Sequence, residues 1–189
     1  MKKVTFLIIL LLSASVVFSQ VNKKKIKEGK GSRAIKVEAA QVPQAVKDAQ
    51  AKKFPGVVQI RWQMKAVKTK TGSQKDFIAL FKDGELKTKV HYKADGTPLL
   101  VVHSLPANKV PSGIVSTVGN NYPGFTLKHG RKIEILTKNT VVYRLALTKP
   151  AAKLFLYVDE SGNDAKQAKD AQDATGEGDS DSDSDEDMD

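Results

Sequence analysis

Apolar residues recur at helical spacing in two stretches of the chain that share one pattern. The first runs from Val42 to Gly56 and the second from Val110 to Gly124, an offset of 68 positions with no gap. Each begins with Val-Pro and ends with an aromatic residue followed by Pro-Gly. Proline suits the first turn of a helix, whereas the residue before a proline avoids helical backbone. Each stretch is therefore predicted to form an amphipathic helix of about three turns, and the offset indicates an internal repeat.

Alternation of apolar and polar residues after the first helix predicts four strands. Two of the connecting turns contain Asp-Gly, which is a strong signal for a β-hairpin. Trp62 shares one side of the first strand with Ile60 and Met64, so it is expected in the core. The predicted strands cover residues 57–67, 77–81, 86–93 and 98–104.

The second helix is followed by the same order of elements, but a fourth strand is not evident there. Strands are predicted at residues 125–136, 141–148 and 153–158, and residues 163–175 lack an apolar stripe with which a helix could pack. The chain is therefore predicted to have an α+β fold of two tandem helix-plus-antiparallel-strand repeats. Both helices are expected to pack on one face of a shared antiparallel sheet.

The two ends of the chain differ in composition from the part between them. Lys2 and Lys3 precede an apolar run and then small residues up to Ser19, a pattern typical of a cleaved secretory signal. A membrane anchor would need a longer apolar run, of roughly 20 residues. Like charges in the lysine-rich arm that follows, and alternating Asp and Ser near the C-terminus, favour disorder. The predicted segments are a signal peptide at 1–19, a basic flexible arm at 20–41, repeats at 42–105 and 106–162, and a disordered acidic tail at 163–189.

A signal peptide predicts a periplasmic or secreted protein with no stable membrane insertion after cleavage. The chain contains no cysteine, so the fold has to rely on its hydrophobic core rather than on disulfides. Exported bacterial proteins commonly do so.

The doubled helix motif, Trp62 and the Asp-Gly hairpin together resemble a family of exported bacterial proteins, the PepSY-like proteins described as similar to β-lactamase-inhibitor proteins. The resemblance spans about Val42 to Gly162 and includes both copies of the motif. It implies two helix-plus-four-strand units and a role in binding or inhibition rather than catalysis. The chain departs from the pattern at Gly130, near where the first copy has Trp62, and it lacks the disulfides of the named inhibitors. No inhibitor residue is therefore carried over.

Charge is distributed unevenly along the chain, whose formal net charge is +10. Residues 159–189 hold thirteen acidic residues and two lysines, so residues 20–158 carry a net charge of +19. A body this basic attracts anionic partners, and the acidic end could lie back over it in competition with them. Nucleic acid is not expected as the partner of an exported protein, and none of the usual nucleic-acid-binding motifs occurs in the sequence.

The sheet face turned away from the helices, called the outer face below, is the candidate binding surface. Strand alternation places cations there, together with aromatic residues of the second repeat. Such a mixture suits a protein or anionic glycan partner, although lysines on a strand can equally well solvate it and discourage edge pairing. The candidate partner-binding residues are Arg61, Lys65, Lys87, Lys89, His91, Lys93, Arg144, Phe155 and Tyr157, and Gln63 and Lys132 are expected on the same face.

Catalytic and metal-binding patterns are not found in the sequence. Nucleophilic catalysis needs Ser, Cys or Lys beside a positioned base, whereas His91, His103 and His129 occur singly and without metal-ligand spacing. The alternating aspartates near the C-terminus lack the turn glycine and the later bidentate carboxylate of a calcium loop. No catalytic, metal-binding or cofactor-binding residue is therefore predicted, and the chain is expected not to be an enzyme.

Two functions remain open at this point. The first is an exported, non-catalytic binding module that contacts a protein, such as an enzyme that it modulates, through the outer face. The second is a structural protein that binds polyanions or the cell envelope mainly through charge. Salt dependence separates them, because charge-driven binding weakens steeply as ionic strength rises.

Overall fold

The structure is a computed structural model that describes residues 34–69, 72–165 and 171. Its strands form one open, eight-stranded antiparallel sheet in which each strand pairs with its neighbours in sequence. The α+β class and the antiparallel sheet predicted from the alternation pattern are confirmed. The strands are β1 (Ile35–Val37), β2 (Arg61–Thr69), β3 (Gly72–Asp83), β4 (Leu86–Lys93), β5 (Pro98–Pro106), β6 (Thr126–Ile135), β7 (Thr140–Lys149) and β8 (Ala152–Val158).

The described residues include two ten-residue α-helices, α1 (Gln44–Lys53) and α2 (Ser112–Asn121). Each begins directly after the proline of the repeated motif and ends before its aromatic residue. Beyond each helix, the glycine of Pro-Gly has a positive φ, 86° at Gly56 and 81° at Gly124, and glycine adopts such a turn conformation without steric cost. Both predicted helices are therefore confirmed, with the turns that follow them.

The first helix packs on an aromatic part of the sheet. Val46 of α1 is fully buried in a cluster that includes Trp62, Phe81 and Tyr92. The hydroxyl of Tyr92 donates a hydrogen bond of 2.7 Å to Oε1 of Gln50, a residue of α1 with no exposed surface. The prediction that Trp62 belongs to the core is confirmed, because only 6% of its surface is exposed.

The second helix packs on a more aliphatic part of the same sheet face. Ile114 and Val118 of α2 lie in a cluster with Leu145, Leu147 and Val158 among others. One member of each cluster comes from β5, Val101 for the first and Leu105 for the second. Residues four apart on a strand point to the same side. Both helices therefore cover one face of the sheet, which leaves the outer face opposite them.

The order of elements repeats when it is counted from β1 and from β5. A short 3₁₀ turn and then a helix follow β1, and the same two elements follow β5. Each helix is followed by three strands, β2 to β4 or β6 to β8. β5 precedes α2 just as β1 precedes α1, so β5 belongs with the second helix rather than with the first. Three strands then follow each helix, and no fourth strand is missing after α2. The tandem repeat itself remains a prediction.

Several predicted segments lie outside the described residues. They are the signal peptide, the basic arm as far as Arg33, and the acidic stretch after Ala171. Within the described part of the chain, no helix has the length and apolar character needed to cross a membrane.

Candidate functional site

The register of the first five strands fixes which side chains of the first half share the outer face. Arg61 of β2 stands opposite Leu80 of β3, which stands opposite Lys89 of β4. The neighbouring rows on the same face contain Gln63, Ile78, His91 and Leu100, and then Lys65, Asp76 and Lys93. Lys87 lies two residues before Lys89 on β4 and so points to the same side.

The second half contributes aromatic residues and an arginine to the outer face. Tyr157 of β8 stands directly opposite Arg144 of β7. The guanidinium carbon of Arg144 lies 4.1 Å from the centre of the Phe155 ring, a distance at which a cation is attracted to the ring face. All nine candidate partner-binding residues therefore lie on one face, although their role in binding stays a prediction.

Lys132 does not lie on this face, which corrects the sequence-based expectation. It stands opposite His103 and Tyr143 on the helix-bearing face. Strict alternation does not hold along this strand, because the register of β6 shifts between Leu127 and His129. An irregularity of this kind places one extra residue on one strand and reverses the sides of those that follow.

The middle of the outer face is apolar, which also differs from the continuous basic surface expected from the sequence. Ala34 packs on part of it, and Ala165 and Ala171 pack on another part. The expectation that residues 163–175 cannot pack is therefore wrong for these two alanines. The buried apolar residues of this strip are Ile78, Leu80, Leu100, Val102, Ile133, Ile135 and Val142.

His91 occupies a buried position within this strip rather than an exposed one. It stands between Ile78 and Leu100, and only 6% of its surface is exposed. Burial, with smaller contributions from the charges of Lys65 and Lys89, lowers the pKa of His91 to about 3. The imidazole is therefore neutral at neutral pH, so it does not add to the positive charge of the face.

The lysines around His91 are more accessible. Lys65, Lys87, Lys89 and Lys93 are each partly exposed. Asp76 stands between Lys65 and Lys93; burial raises the pKa of this carboxyl, against the opposing effect of a hydrogen bond from Gln74 and of the two lysines. A partner that approaches the first half therefore meets ammonium groups beside a buried apolar strip.

Sequence reasoning missed Arg131 and His129 on the outer face. Arg131 of β6 stands directly opposite Arg144, and His129 stands opposite Ala146, the next outer-face position on β7. The same shift of register that moved Lys132 away brought both residues here. Alternation does group them with Ile133 and Ile135, but an apolar pair would itself have been assigned to the helix-bearing face.

A polar group lies on the helix-bearing face between the two hydrophobic clusters. The Thr88 Oγ1 and His103 Nδ1 atoms are 3.0 Å apart, and His103 Nε2 is 3.9 Å from Glu134 Oε1. Lys132 donates a hydrogen bond of 2.7 Å to the same carboxylate, which raises the pKa of the lysine. Hydroxyl, imidazole and carboxylate stand in the order of a catalytic triad. Thr88, however, has no exposed surface, so its hydroxyl cannot reach a substrate in this arrangement.

The three histidines do not converge. His103 lies on the helix-bearing face, whereas His91 and His129 lie on the outer face on non-adjacent strands. Among residues 34–69, 72–165 and 171, no group of three histidine or acidic side chains is placed to hold a metal ion.

Comparison with known proteins gives a fold and no family. No protein-family model matches the chain, and no curated protein does. A BLIP-like protein from Bacteroides fragilis superimposes with a TM-score of 0.55 at 20% identity, over 65% of this chain and 83% of that chain. A DUF2874 family protein from Bacteroides ovatus superimposes with a TM-score of 0.54 at 13% identity, over 66% of this chain and 84% of that chain. A candidate periplasmic protein from Bacteroides eggerthii superimposes with a TM-score of 0.53 at 15% identity, over 66% of this chain and 86% of that chain. These structures show that the fold is BLIP-like.

Proposed function

We propose that the chain is an exported, non-catalytic module that binds a protein partner through the outer face. The observation that carries this proposal is the arrangement of that face, where partly exposed lysines and the partly exposed rings of Phe155 and Tyr157 lie beside a buried apolar strip. Protein interfaces likewise combine aromatic residues with a polar, charged rim.

The comparisons support the same class of function. A neighbour of this fold is described as BLIP-like, which suggests a module that binds another protein rather than a substrate. Another is described as a candidate periplasmic protein, in agreement with the signal-peptide pattern of residues 1–19. The proposed location is therefore the periplasm or the outside of the cell.

The proposal includes the PepSY-like resemblance and the two-repeat layout. Both helices and both preceding 3₁₀ turns are offset by 68 residues, as are the first residues of β3 and β7. This offset supports two tandem units whose boundary falls between β4 and β5, eight or so residues before the division expected from the sequence.

A second candidate function is charge-driven binding of a polyanion such as an anionic glycan or the cell envelope. The net charge of +19 on residues 20–158 favours it, because a strongly basic surface raises the local concentration of anions without specific contacts. Such binding should depend on total charge rather than on the position of each lysine.

The experiment is affinity capture from an envelope extract of the source cell with the chain from residue 20 to 189, analysed by mass spectrometry. The outer-face variant Lys87→Glu/Lys89→Glu is compared with Lys47→Glu/Lys52→Glu on α1, which changes the net charge equally on the opposite face. We expect a protein that is captured by the unaltered chain and by the α1 variant, and is lost with the outer-face variant.

Ionic strength then separates the two candidates. Capture of a protein partner should persist at a salt concentration at which the Debye length is about 3 Å, because apolar contacts are not screened. If both variants lose capture equally, and the unaltered chain also loses capture at high salt, the protein-binding proposal is contradicted and polyanion binding is favoured.

A further inference from the structure

Helix α2 is uncharged, although the body of the protein is strongly basic. None of its ten residues carries a charge, whereas α1 contains Lys47, Asp48, Lys52 and Lys53. Residues 20–158 have a net charge of +19, so two copies of the chain repel each other wherever their lysines meet. Through α2, two copies can approach without bringing like charges on the helix together.

An apolar groove, called the α2 groove below, lies between α2 and strands β6 and β7. Its volume is about 70 Å³. An apolar cavity of about 150 Å³ takes a benzene molecule, so the α2 groove suits a smaller group, such as the isopropyl end of a valine side chain. The residues that line it include Val115, Gly119, Tyr122, Phe125, Leu127 and Leu147.

The first half uses the aromatic residue after its helix differently. Phe54 packs edge-on against Phe81, with 4.9 Å between the ring centres. Tyr122 stands 68 residues after Phe54 and lines the α2 groove instead. On the helix, a Cβ atom at Gly119 would meet nothing within 4 Å. The second half therefore keeps an open groove that the described residues do not fill.

A side chain of suitable size stands at the rim of the α2 groove. Val115 lines the groove and is 38% exposed. In a two-fold symmetric contact the same surface patch meets itself, so Val115 of one copy can enter the groove of the other copy while its own groove receives the second Val115. Gly119 has no side chain that would keep the second helix at a distance.

We propose that α2 and the α2 groove form a self-complementary contact through which two copies of this chain pair about a two-fold axis. Both helices cover one face of the sheet, so this dimer leaves the outer faces of both copies free. A partner with two binding sites then meets two outer faces in one particle, which raises its overall affinity. The inference does not rest on the function proposed above, because the outer face takes no part in the contact.

The first test measures the mass of the chain from residue 20 to 189 by sedimentation. A ten-residue helix is about 15 Å long, so the contact buries less than the roughly 1,200 Å² of a standard interface and the dimer is expected to be weak. The weight-average mass should rise from that of a monomer towards that of a dimer between about 10 μM and 1 mM. A monomer throughout this range would overturn the proposal.

Ionic strength distinguishes this contact from pairing of the basic body with acidic residues of another copy. Salt screens the repulsion between the two bodies, but it does not screen apolar contacts. The screened charges include that of Lys149, whose ammonium nitrogen lies 4.6 Å from the centre of the Phe125 ring. The dimer should therefore become about threefold or more tighter when the Debye length falls from about 8 Å to about 3 Å. A dimer that weakens with salt would contradict the proposal.

Matched variants locate the contact. Val115→Lys places a charge where the two copies meet and should weaken the dimer about tenfold or more. Val58→Lys makes the same change at a valine that is 91% exposed after α1, and it should change the affinity by about twofold at most. Gly119→Leu fills the α2 groove without altering the charge and should also weaken the dimer, while thermal denaturation shows that the chain stays folded. Equal losses for the two lysine variants would reduce the effect to net charge and contradict the proposal.

Disulfide formation reports the pairing directly. The chain has no cysteine, so Val115→Cys introduces a single thiol, and the proposed dimer brings the two thiols close to the symmetry axis. A disulfide needs Cβ atoms within about 4.5 Å of each other. Under mild oxidation Val115→Cys should therefore form a covalent dimer at least about tenfold faster than Val58→Cys, although Val58 is the more exposed residue. An equal or faster rate for Val58→Cys would overturn the proposal.

Discussion

The two halves of the molecule place the same kind of helix on the same sheet face but fill the space beneath it differently. Under α1 the filling is aromatic, with Trp62, Phe81 and Tyr92, and Phe54 meets Phe81 edge-on at 4.9 Å. At the position of β6 that lies 68 residues after Trp62 stands Gly130. A Cβ atom there would lie only 3.0 Å from side-chain atoms of Leu145 and of Val110.

The bounds of the two helices and the side chains packed beneath them depend on different parts of the sequence. The Val-Pro start and the Pro-Gly turn are common to the halves and set where each helix begins and ends. In the first half the space between helix and sheet is filled by the ring of Trp62. In the second half it is filled by aliphatic side chains, with Val110 and Leu145 close to Gly130. Densely packed cores accept either solution as long as the volume is filled.

A polar contact also distinguishes the halves. Gln50 of α1 is buried and bonded to Tyr92, whereas Val118 stands 68 residues later, in the apolar cluster of α2. The Nε2 atom of Gln50 has no hydrogen-bond partner among the described residues. The first half thus carries a polar group in its core that the second half does without.

The largest expected effect is the loss of the ring that fills the first half. Trp62→Ala should lower the free energy of unfolding by about 3–5 kcal/mol, because it leaves a cavity beneath α1. Urea denaturation followed by circular dichroism measures the change. A loss below about 1 kcal/mol would show that the helix collapses onto the sheet without the ring, and the contrast between the halves would then have no energetic meaning.

The next effect concerns His91, which lies five residues before the turn glycine Gly96. The equivalent position in the second half, five residues before Gly162, is occupied by Tyr157. The pKa of His91 is lowered from 6.5 to about 3 in the folded chain by burial. The unfolded chain therefore binds a proton at higher pH than the folded chain, and stability is lost as the pH falls from about 6.5 towards 3.

Each unit of difference in pKa is worth roughly 1.4 kcal/mol. His91→Leu should therefore flatten the dependence of the melting temperature on pH in this window. His103→Gln should flatten it less, because burial also lowers the pKa of His103 but this imidazole is only partly buried. An unchanged slope in the His91 variant would show that the acid sensitivity arises elsewhere.

A smaller effect is expected when the polar contact of the first half is broken. Tyr92→Phe should cost about 1–3 kcal/mol, because the buried Gln50 loses its bonded partner. The double variant Gln50→Leu/Tyr92→Phe should recover much of that loss and make the first half resemble the second. Chemical denaturation of the two single variants and the double variant gives the coupling energy between Gln50 and Tyr92. If the changes in the free energy of unfolding were strictly additive, the two side chains would not depend on each other and the prediction would be wrong.

An effect of similar size is expected at the close approach in the second half. Gly130→Ala should destabilise the fold by about 1–3 kcal/mol, because the added methyl group overpacks the contact of Val110 with Leu145. Gly119→Ala on α2 is the control, since a Cβ there meets nothing within 4 Å and alanine favours a helix by about 0.8–1.0 kcal/mol over glycine. Thermal denaturation should therefore move the two variants in opposite directions.

The elements that follow from local rules could be predicted from the sequence. Proline, an apolar stripe and Pro-Gly placed both helices, and the observed bounds of α2, Ser112–Asn121, lie inside the predicted stretch from Val110 to Gly124. Strict alternation on β4 placed Lys87, Lys89 and Lys93 on the outer face, because the register of β4 against β3 is unbroken between them.

The remainder depends on contacts that alternation does not describe. The shift of register near His129 reverses the sides of β6, and β1 is only three residues long at the edge of a lysine-rich segment. The apolar centre of the outer face did have a signal, since Leu99 to Val102 is continuously apolar. Such runs are typical of strands covered on both faces.

Both ends of the described chain lie on the outer face, since Ala34 packs against Ile78 and Leu80, and Ala171 packs against the neighbouring strip. Attaching the protein to a resin at Ala34 or Ala171 would consequently turn this face toward the resin and hide it. The turn after α1 offers a better attachment point, because Val58 is 91% exposed and precedes β2. Exposed turns tolerate insertions well. A short handle inserted there would leave the sheet facing the solution.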